Sequence, residues 1–237
     1  MSLLLISAML ALASAAAVDE WDSKETRAVQ LRYGECVVKK RQSAARNFVL
    51  TPDLEKGDLR RHIQMVGDPE CLVAAAENGV EMKFPLDTMR YALADALVRK
   101  EFSLVAPPSL KNAGAIDQPD FDDAKYQPKP GKQAKKKELD ELAEKRIKRL
   151  ALIYLAQYGE CVVRAAPDQS RTLLLTTPDT PEESAAFAAL KPELGGCVVE
   201  GQSLKFNKAT LRGTIAMNFY RLTYAARQSA TTAGVTK

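Results

Sequence analysis

The chain carries one six-residue stretch twice, first as Tyr33-Gly34-Glu35-Cys36-Val37-Val38 and again, unchanged, as Tyr158-Gly159-Glu160-Cys161-Val162-Val163. After each copy the same features follow in the same order: a Thr-Pro-Asp tripeptide, a second cysteine, a Lys-Phe pair and an arginine. The matched features are Thr51–Asp53 with Thr177–Asp179, Cys71 with Cys197, Lys83-Phe84 with Lys205-Phe206, and Arg90 with Arg212. The offset between matched residues drifts from 125 to 126 to 122 positions, as short insertions and deletions would cause. This self-similarity indicates an internal duplication.

The duplication divides the 237 residues into two units of roughly 80–90 residues. A unit of that size buries too little apolar surface to be more than marginally stable by its core alone. We therefore expect a mainly α fold made of two tandem disulfide-stapled helical units, each with at most one very short strand. The predicted boundaries are residues 19–103 for the first unit, 104–131 for a Pro-rich linker, 132–227 for the second unit and 228–237 for a loose tail.

The amino end, residues 1–17, is an apolar run that ends in small residues. It is too short to span a bilayer comfortably, and Ala13-Ser14-Ala15 fits the small-x-small cleavage pattern of a secretory signal peptide. The segment has no Lys or Arg before Lys24, so a retained membrane anchor is the alternative. No later segment is apolar enough to cross a membrane. We predict a periplasmic or secreted protein with no transmembrane segment after signal cleavage.

The chain has four cysteines, an even number that indicates disulfides in an exported protein. Four cysteines allow three pairings. The duplication favours Cys36–Cys71 and Cys161–Cys197, because each unit then folds with a pair of its own. The paired residues are 35 and 36 positions apart. Each bridge is expected to contribute about 3–4 kcal/mol, a large share of a small domain's stability.

Apolar residues at spacings of three and four predict the helices of the first unit. We place them at Asp22–Arg41, at Ala44–Val49, from Thr51 to Val66, and at Leu86–Phe102. Alternation of apolar and charged residues predicts a short strand over Val80–Phe84.

The second unit repeats this order after the linker, which contains five prolines and several aspartates and is expected to be solvated. A long helix is predicted from Lys132. Thr180-Pro181-Glu182-Glu183 predicts the start of a helix, with threonine as the cap, and Gly195-Gly196 its end. The last helix is predicted from Leu211 to about Ala226.

The repeated block resembles a group of small exported proteins of Gram-negative bacteria that carry YGxCVV, a Thr-Pro helix start, a second cysteine, LxF and a final Leu-Arg-Gly helix. The second unit matches best. It carries these features at Tyr158–Val163, Thr177–Glu183, Cys197, Leu204–Phe206 and Leu211-Arg212-Gly213. The first unit departs from the pattern: it lacks the Gly-Gly before its second cysteine and has Tyr91 where Gly213 stands. The resemblance implies export and disulfides, and it implies no activity.

Charge and residue content disfavour several function classes. The net charge of +4 is made up of −1 over residues 19–104, +2 over 105–138 and +3 over 139–237, so no unit has the strongly basic charge of a nucleic-acid-binding protein. One histidine, His62, and no close pair of cysteines cannot supply an ordinary zinc site. No phosphate-binding glycine loop or haem attachment motif is present. We expect no cofactor, no metal and no nucleic-acid partner.

Two glutamates are the candidates for chemistry. Glu35 and Glu160 occupy matched positions beside the first cysteine of each unit, and as a carboxylate pair they would suit acid–base hydrolysis. A solvated helix charge or a salt bridge is the favoured interpretation. Because Arg90 and Arg212 also match, we hypothesise an ion pair within each unit, Glu35 with Arg90 and Glu160 with Arg212.

The favoured function is that of an exported, non-catalytic interaction or structural module of the bacterial envelope, binding an unknown protein or cell-wall partner. The alternative is an envelope hydrolase that uses Glu35 or Glu160 as general acid or base.

Overall fold

The structure is a computed structural model. It describes residues 23–53, 63–64, 66–76, 85–104, 109–110, 113–129, 131, 134–199 and 207–235. The predicted signal peptide, most of the predicted third helix, both Lys-Phe segments and His62 lie outside these residues.

The described residues form seven α-helices and one 3-10 helix, and they contain no strand. The helices are α1 (Lys24–Leu50), α2 (Pro69–Ala75), α3 (Leu86–Phe102), α4 (Lys136–Ala165), α5 (Pro167–Leu175), α6 (Pro181–Gly196) and α7 (Lys208–Val235), with the 3-10 helix at Asp123–Tyr126. The predicted mainly α class with two disulfide-stapled units is confirmed. The strand predicted over Val80–Phe84 lies outside the described residues.

Local sequence signals fix several helix ends. Arg41, the predicted end of the first helix, has non-helical φ and ψ and kinks α1 there. The Thr180 side chain caps α6 by accepting a hydrogen bond from the Glu183 N–H at 3.3 Å. Helix α6 ends at Gly196, as the Gly195-Gly196 pair predicts. Helix α3 has the predicted bounds.

The two units do not form separate lobes, because α3 and α7 pack against each other in one continuous core. Each of these helices also packs against the long first helix of its own half, α3 against α1 and α7 against α4. Tyr91 contacts Gly213 near the start of both helices, and the rings of Phe102 and Phe219 meet farther along with centroids 6.0 Å apart. The two helices therefore run parallel to each other. Both helices have fully buried side chains; these include Leu93, Leu97, Ile215, Phe219 and Leu222.

The repeated glycine is where the helices of each half approach most closely. A Cβ atom added to Gly34 would clash with the Ala92 carbonyl of α3. One added to Gly159 would lie 2.8 Å from the Thr214 carbonyl of α7. Ala92 and Thr214 are themselves matched by the repeat offset. The Tyr-Gly pair thus sets the same helix crossing in both halves, a contact that leaves no space for a side chain.

Several of the described residues in the segment between the units contact the helices, while most of its described side chains are exposed, as expected of a solvated linker. The Leu110 side chain is buried in the core. Gln118 donates to Asn218 of α7 at 3.1 Å, and Arg149 of α4 donates to the Asp120 carbonyl at 2.7 Å. The Phe121 ring lies under the guanidinium of Arg146, 5.2 Å from its centroid. An arginine side chain thus satisfies a backbone carbonyl of this segment, and amide side chains join it to α7.

Helix α7 continues to Val235, beyond the predicted end near Ala226, so the tail predicted to be loose is helical over most of its length. Its residues from Gln228 to Ala233 include no proline or glycine that would stop a helix. Within the described residues, no helix combines the length and apolarity that a membrane crossing requires.

We expect Gly34→Ala to lower the free energy of unfolding by about 1–3 kcal/mol, because the added methyl group must displace α3. Gly195→Ala is the matched control, since a Cβ there meets nothing within 4 Å. It should be neutral or slightly stabilising. Urea unfolding followed by circular dichroism measures both. Equal stabilities of the two variants would contradict the close crossing.

Cutting the segment 104–131 should leave the halves associated, because α3 and α7 share a core. We expect size-exclusion chromatography of the cut protein under native conditions to give a single peak containing both fragments. Two folded fragments eluting separately would contradict the shared core.

Candidate functional site

Both predicted disulfides are present. Cys36 bonds to Cys71 and Cys161 to Cys197, with Cα–Cα distances of 5.6 and 5.8 Å, and the described residues contain no free cysteine. Each bridge joins the long first helix of a half to the segment that carries the second cysteine. The repeated tyrosine strengthens the same junction. Tyr33 donates to the Val66 carbonyl at 3.2 Å and Tyr158 to the Leu194 carbonyl at 2.9 Å.

The two candidate glutamates lie in different surroundings. Glu35 is exposed on α1. Glu160 is half-buried and accepts a hydrogen bond from Arg164 at 2.8 Å, while Arg164 also donates to the Ala113 carbonyl. Gln118 donates to the other oxygen of Glu160. Glu160 therefore helps to fasten the connecting segment to α4.

The hypothesised ion pairs of Glu35 with Arg90 and of Glu160 with Arg212 are wrong. Arg90 donates to the carbonyls of Val49 and Thr51 at the end of α1. Arg212 donates to the carbonyls of Leu174 and Thr176 at the end of α5, at 2.8 and 2.9 Å. The repeated arginine therefore caps the helix that precedes each Thr-Pro-Asp tripeptide. Helix ends leave carbonyls unpaired, so a cation there is stabilised by both hydrogen bonds and the helix dipole.

Reciprocal ion pairs join the two halves at the repeated Thr-Pro-Asp aspartates. Arg149 of the second half forms a bidentate pair with Asp53 of the first, with N–O distances of 2.6 and 3.1 Å. Arg27 of the first half pairs with Asp179 of the second at 2.7 Å. Both arginines are almost fully buried. Each half thus supplies a buried arginine for the other half's aspartate.

Arg212 extends this junction into a buried network. It makes a bidentate pair with Asp95 of α3, at 3.1 and 3.2 Å, and a third contact with Glu183 at 3.0 Å. Arg27 also binds Glu183. Burial alone lowers the pKa of Arg212, but the charges of Asp95 and Glu183 raise it above its ordinary value. The carboxylates thus more than compensate the burial of this guanidinium.

Two clefts lie at matched places on either side of the α3–α7 contact. We call one the Arg212 cleft; among its lining residues are Arg27, Tyr91, Ala92, Asp95, Pro178 and Arg212. We call the other the Arg90 cleft; among its lining residues are Pro52, Arg90, Tyr91, Thr214, Met217 and Arg221. The repeat offset relates Pro52 to Pro178, Arg90 to Arg212, Ala92 to Thr214 and Asp95 to Met217. Neither cleft is lined by Glu35 or Glu160.

The Arg90 cleft differs from the Arg212 cleft in charge. Where the Arg212 cleft has Asp95, the Arg90 cleft has Met217, and where the Arg212 cleft has Ala209, the Arg90 cleft has Asp87, which does not pair with Arg90 or Arg221. Burial, reinforced by the charge of Arg221, lowers the pKa of Arg90 to about 10. Burial likewise lowers the pKa of Arg221. Among the described residues, neither arginine forms an ion pair with a carboxylate, and each donates to backbone carbonyls or to Gln118.

Within the part of the chain that the structure describes, no group of three or more His, Cys, Asp or Glu residues lies together as a metal site. Comparison of the chain with protein-family models, with curated proteins and with solved structures gave no match.

Sequence reasoning missed the pairs between the halves. Arg27 and Arg149 precede the repeated hexapeptide by different distances, so the repeat does not mark them as equivalent. The charge difference between the clefts had a visible signal: extending the alignment at an offset of 122 places Asp95 opposite Met217. The sequence does not show which arginine lies next to Asp95 or Met217, because that depends on the packing of α3 against α7.

Glu183 makes the network sensitive to acid. Burial raises the pKa of a carboxyl, but the hydrogen bond from Arg27 and the charge of Arg212 hold the pKa of Glu183 below its ordinary value. Its contribution to stability is therefore complete above pH of about 4.5 and is lost as the pH falls through the lower folded-state pKa. We expect Glu183→Gln to cost roughly 3 kcal/mol at pH 7, since it breaks a buried pair, and to flatten the loss of stability below pH of about 4.5.

The measurement is urea unfolding at a series of pH values. Glu182→Gln is the matched control, because the neighbouring Glu182 is exposed. A Glu183→Gln protein as stable as the control at pH 7 would show that the buried network contributes little.

Proposed function

We propose that the protein is an exported, non-catalytic interaction or structural module of the bacterial envelope, which binds a protein or a cell-wall component. The placement of the two candidate glutamates carries this proposal. Glu35 is exposed on α1, and Glu160 is engaged by Arg164 and Gln118. General acid–base catalysis on a bound substrate needs a carboxyl within hydrogen-bond reach of the reacting atom. Neither glutamate lines the Arg90 cleft or the Arg212 cleft.

The two disulfides support the export part of the proposal. Paired cysteines persist in oxidising compartments such as the periplasm and are rare in the cytosol. The way the two halves pack is a second support for the proposal. The bridges fasten each half internally, and the buried arginine pairs and the α3–α7 core hold the two halves together, which suits a protein that presents a preformed surface to a partner.

A sedimentation assay with purified cell-wall sacculi separates a binding module from a hydrolase. If the partner is the cell wall, the protein should sediment with the sacculi and release no soluble fragments. If the partner is a protein, it should remain in the supernatant and form crosslinks to an envelope protein in intact cells. Glu35→Gln and Glu160→Gln should leave either behaviour unchanged. Release of soluble fragments that is lost in one of these variants would establish the hydrolase instead.

A further inference from the structure

We infer that the Arg90 cleft is a binding site for a carboxylate group presented by a ligand, held between the guanidinium groups of Arg90 and Arg221. Three observations, on charge, on an unpartnered donor and on the matched cleft, lead to this inference. It does not depend on the proposed role in the envelope.

The first observation is the charge of the cleft. Arg90 and Arg221 are about 6 and 7 % exposed, and both line the cleft. Acidic residues act on them from a distance: Asp87, which also lines the cleft, and Asp53 act on Arg90, and Glu160 and Asp117 act on Arg221. In the described residues none of these carboxylates lies within ion-pair distance of either guanidinium. Two neighbouring buried cations without a contacting anion are unfavourable, so a bound anion would be stabilised there.

The second observation is an unused donor. The Nε of Arg90 is buried and has no hydrogen-bond partner among the described residues. Buried N–H groups are nearly always satisfied, and the exceptions often mark places where a ligand or ion binds. The donors of arginine form a rigid planar fork that fits the two oxygens of a carboxylate.

The third observation identifies the occupant. In the Arg212 cleft the position matched to Met217 is Asp95, whose carboxylate accepts two hydrogen bonds from Arg212. Arg99, which matches Arg221, lies 3.7 Å from the same carboxylate. In the Arg212 cleft, Arg212 is therefore paired with a carboxylate supplied by the chain itself, and Arg99 lies beside that carboxylate without lining the cleft. The Arg90 cleft has the matched Arg90 and one acidic lining residue, Asp87, but among the described residues no carboxylate contacts Arg90 or Arg221, so a carboxylate from a ligand completes it.

The walls of the cleft limit the kind of ligand to which the carboxylate can belong. Tyr91, Met217 and Leu152 present apolar surface beside the arginines. A carboxylate on a small apolar group, such as acetate, satisfies both parts of the cleft.

The test is a titration of the whole protein with sodium acetate at constant ionic strength, with sodium chloride as the reference salt. The signal observed is the Nε–H resonance of Arg90 in a two-dimensional ¹H–¹⁵N spectrum. We expect this resonance to move with saturation as acetate is added and to stay in place in chloride. A resonance that acetate leaves unchanged would overturn the inference, and this readout needs no variant.

Two variants extend the test. Met217→Asp supplies the missing carboxylate from the chain, and Arg221→Met removes one of the two cations. Each should weaken acetate binding about tenfold or more, the loss expected when a charge-assisted hydrogen bond is removed or blocked. Lys137→Met is the control, because it removes a charge from a side chain that is 89 % exposed. It should bind acetate as the wild type does.

The outcomes separate the alternatives. Loss of acetate binding in both cleft variants with retention in the control supports the inference. Equal binding in all four proteins would mean that acetate binds elsewhere. Inorganic phosphate binding more tightly than acetate would overturn the assignment to a carboxylate and identify a phosphate site in its place.

Discussion

The buried guanidinium of Arg212, on α7, connects three other helices, α3, α5 and α6. It binds the last carbonyls of α5, the Asp95 carboxylate of α3 and the Glu183 carboxylate of α6. A buried charge is stabilised only when its partners are in place, so the end of α5, the start of α6 and the packing of α3 on α7 must form together. Arg27, which shares Glu183, adds α1 to the same requirement. The two halves thus depend on each other for their charge balance as well as for their apolar core.

Signals within a few residues of each other were read correctly from the sequence. The kink at Arg41, the Thr180 cap and the bounds of Leu86–Phe102 depend on local backbone chemistry, and the cysteine pairing followed from the repeat. The partners of Arg90 and Arg212 did not follow, because they depend on where distant segments meet. The repeated Glu and the repeated Arg led to the hypothesis of an ion pair within each unit. The matched contacts of the two arginines are instead with backbone carbonyls, which no sequence pattern marks.

The two clefts are built from matched positions of the two halves but have different chemical environments. Each cleft combines an arginine from one half with residues from the last helix of the other half. Asp95 and Glu183 both neutralise Arg212 within the chain, whereas the position matched to Asp95 is Met217 and Arg90 has no ion-pair partner among the described residues.

The contact of Tyr91 with Gly213 has a consequence for stoichiometry. The two residues occupy matched positions and face each other, with the aromatic ring filling the space where a side chain of Gly213 would lie. A symmetric dimer of the first half would place two tyrosines in that space. A symmetric dimer of the second half would place two glycines there and leave the space empty. One continuous polypeptide always brings one ring to one vacant position. The covalent connection therefore permits an unequal contact that a symmetric homodimer of either half would be unable to form.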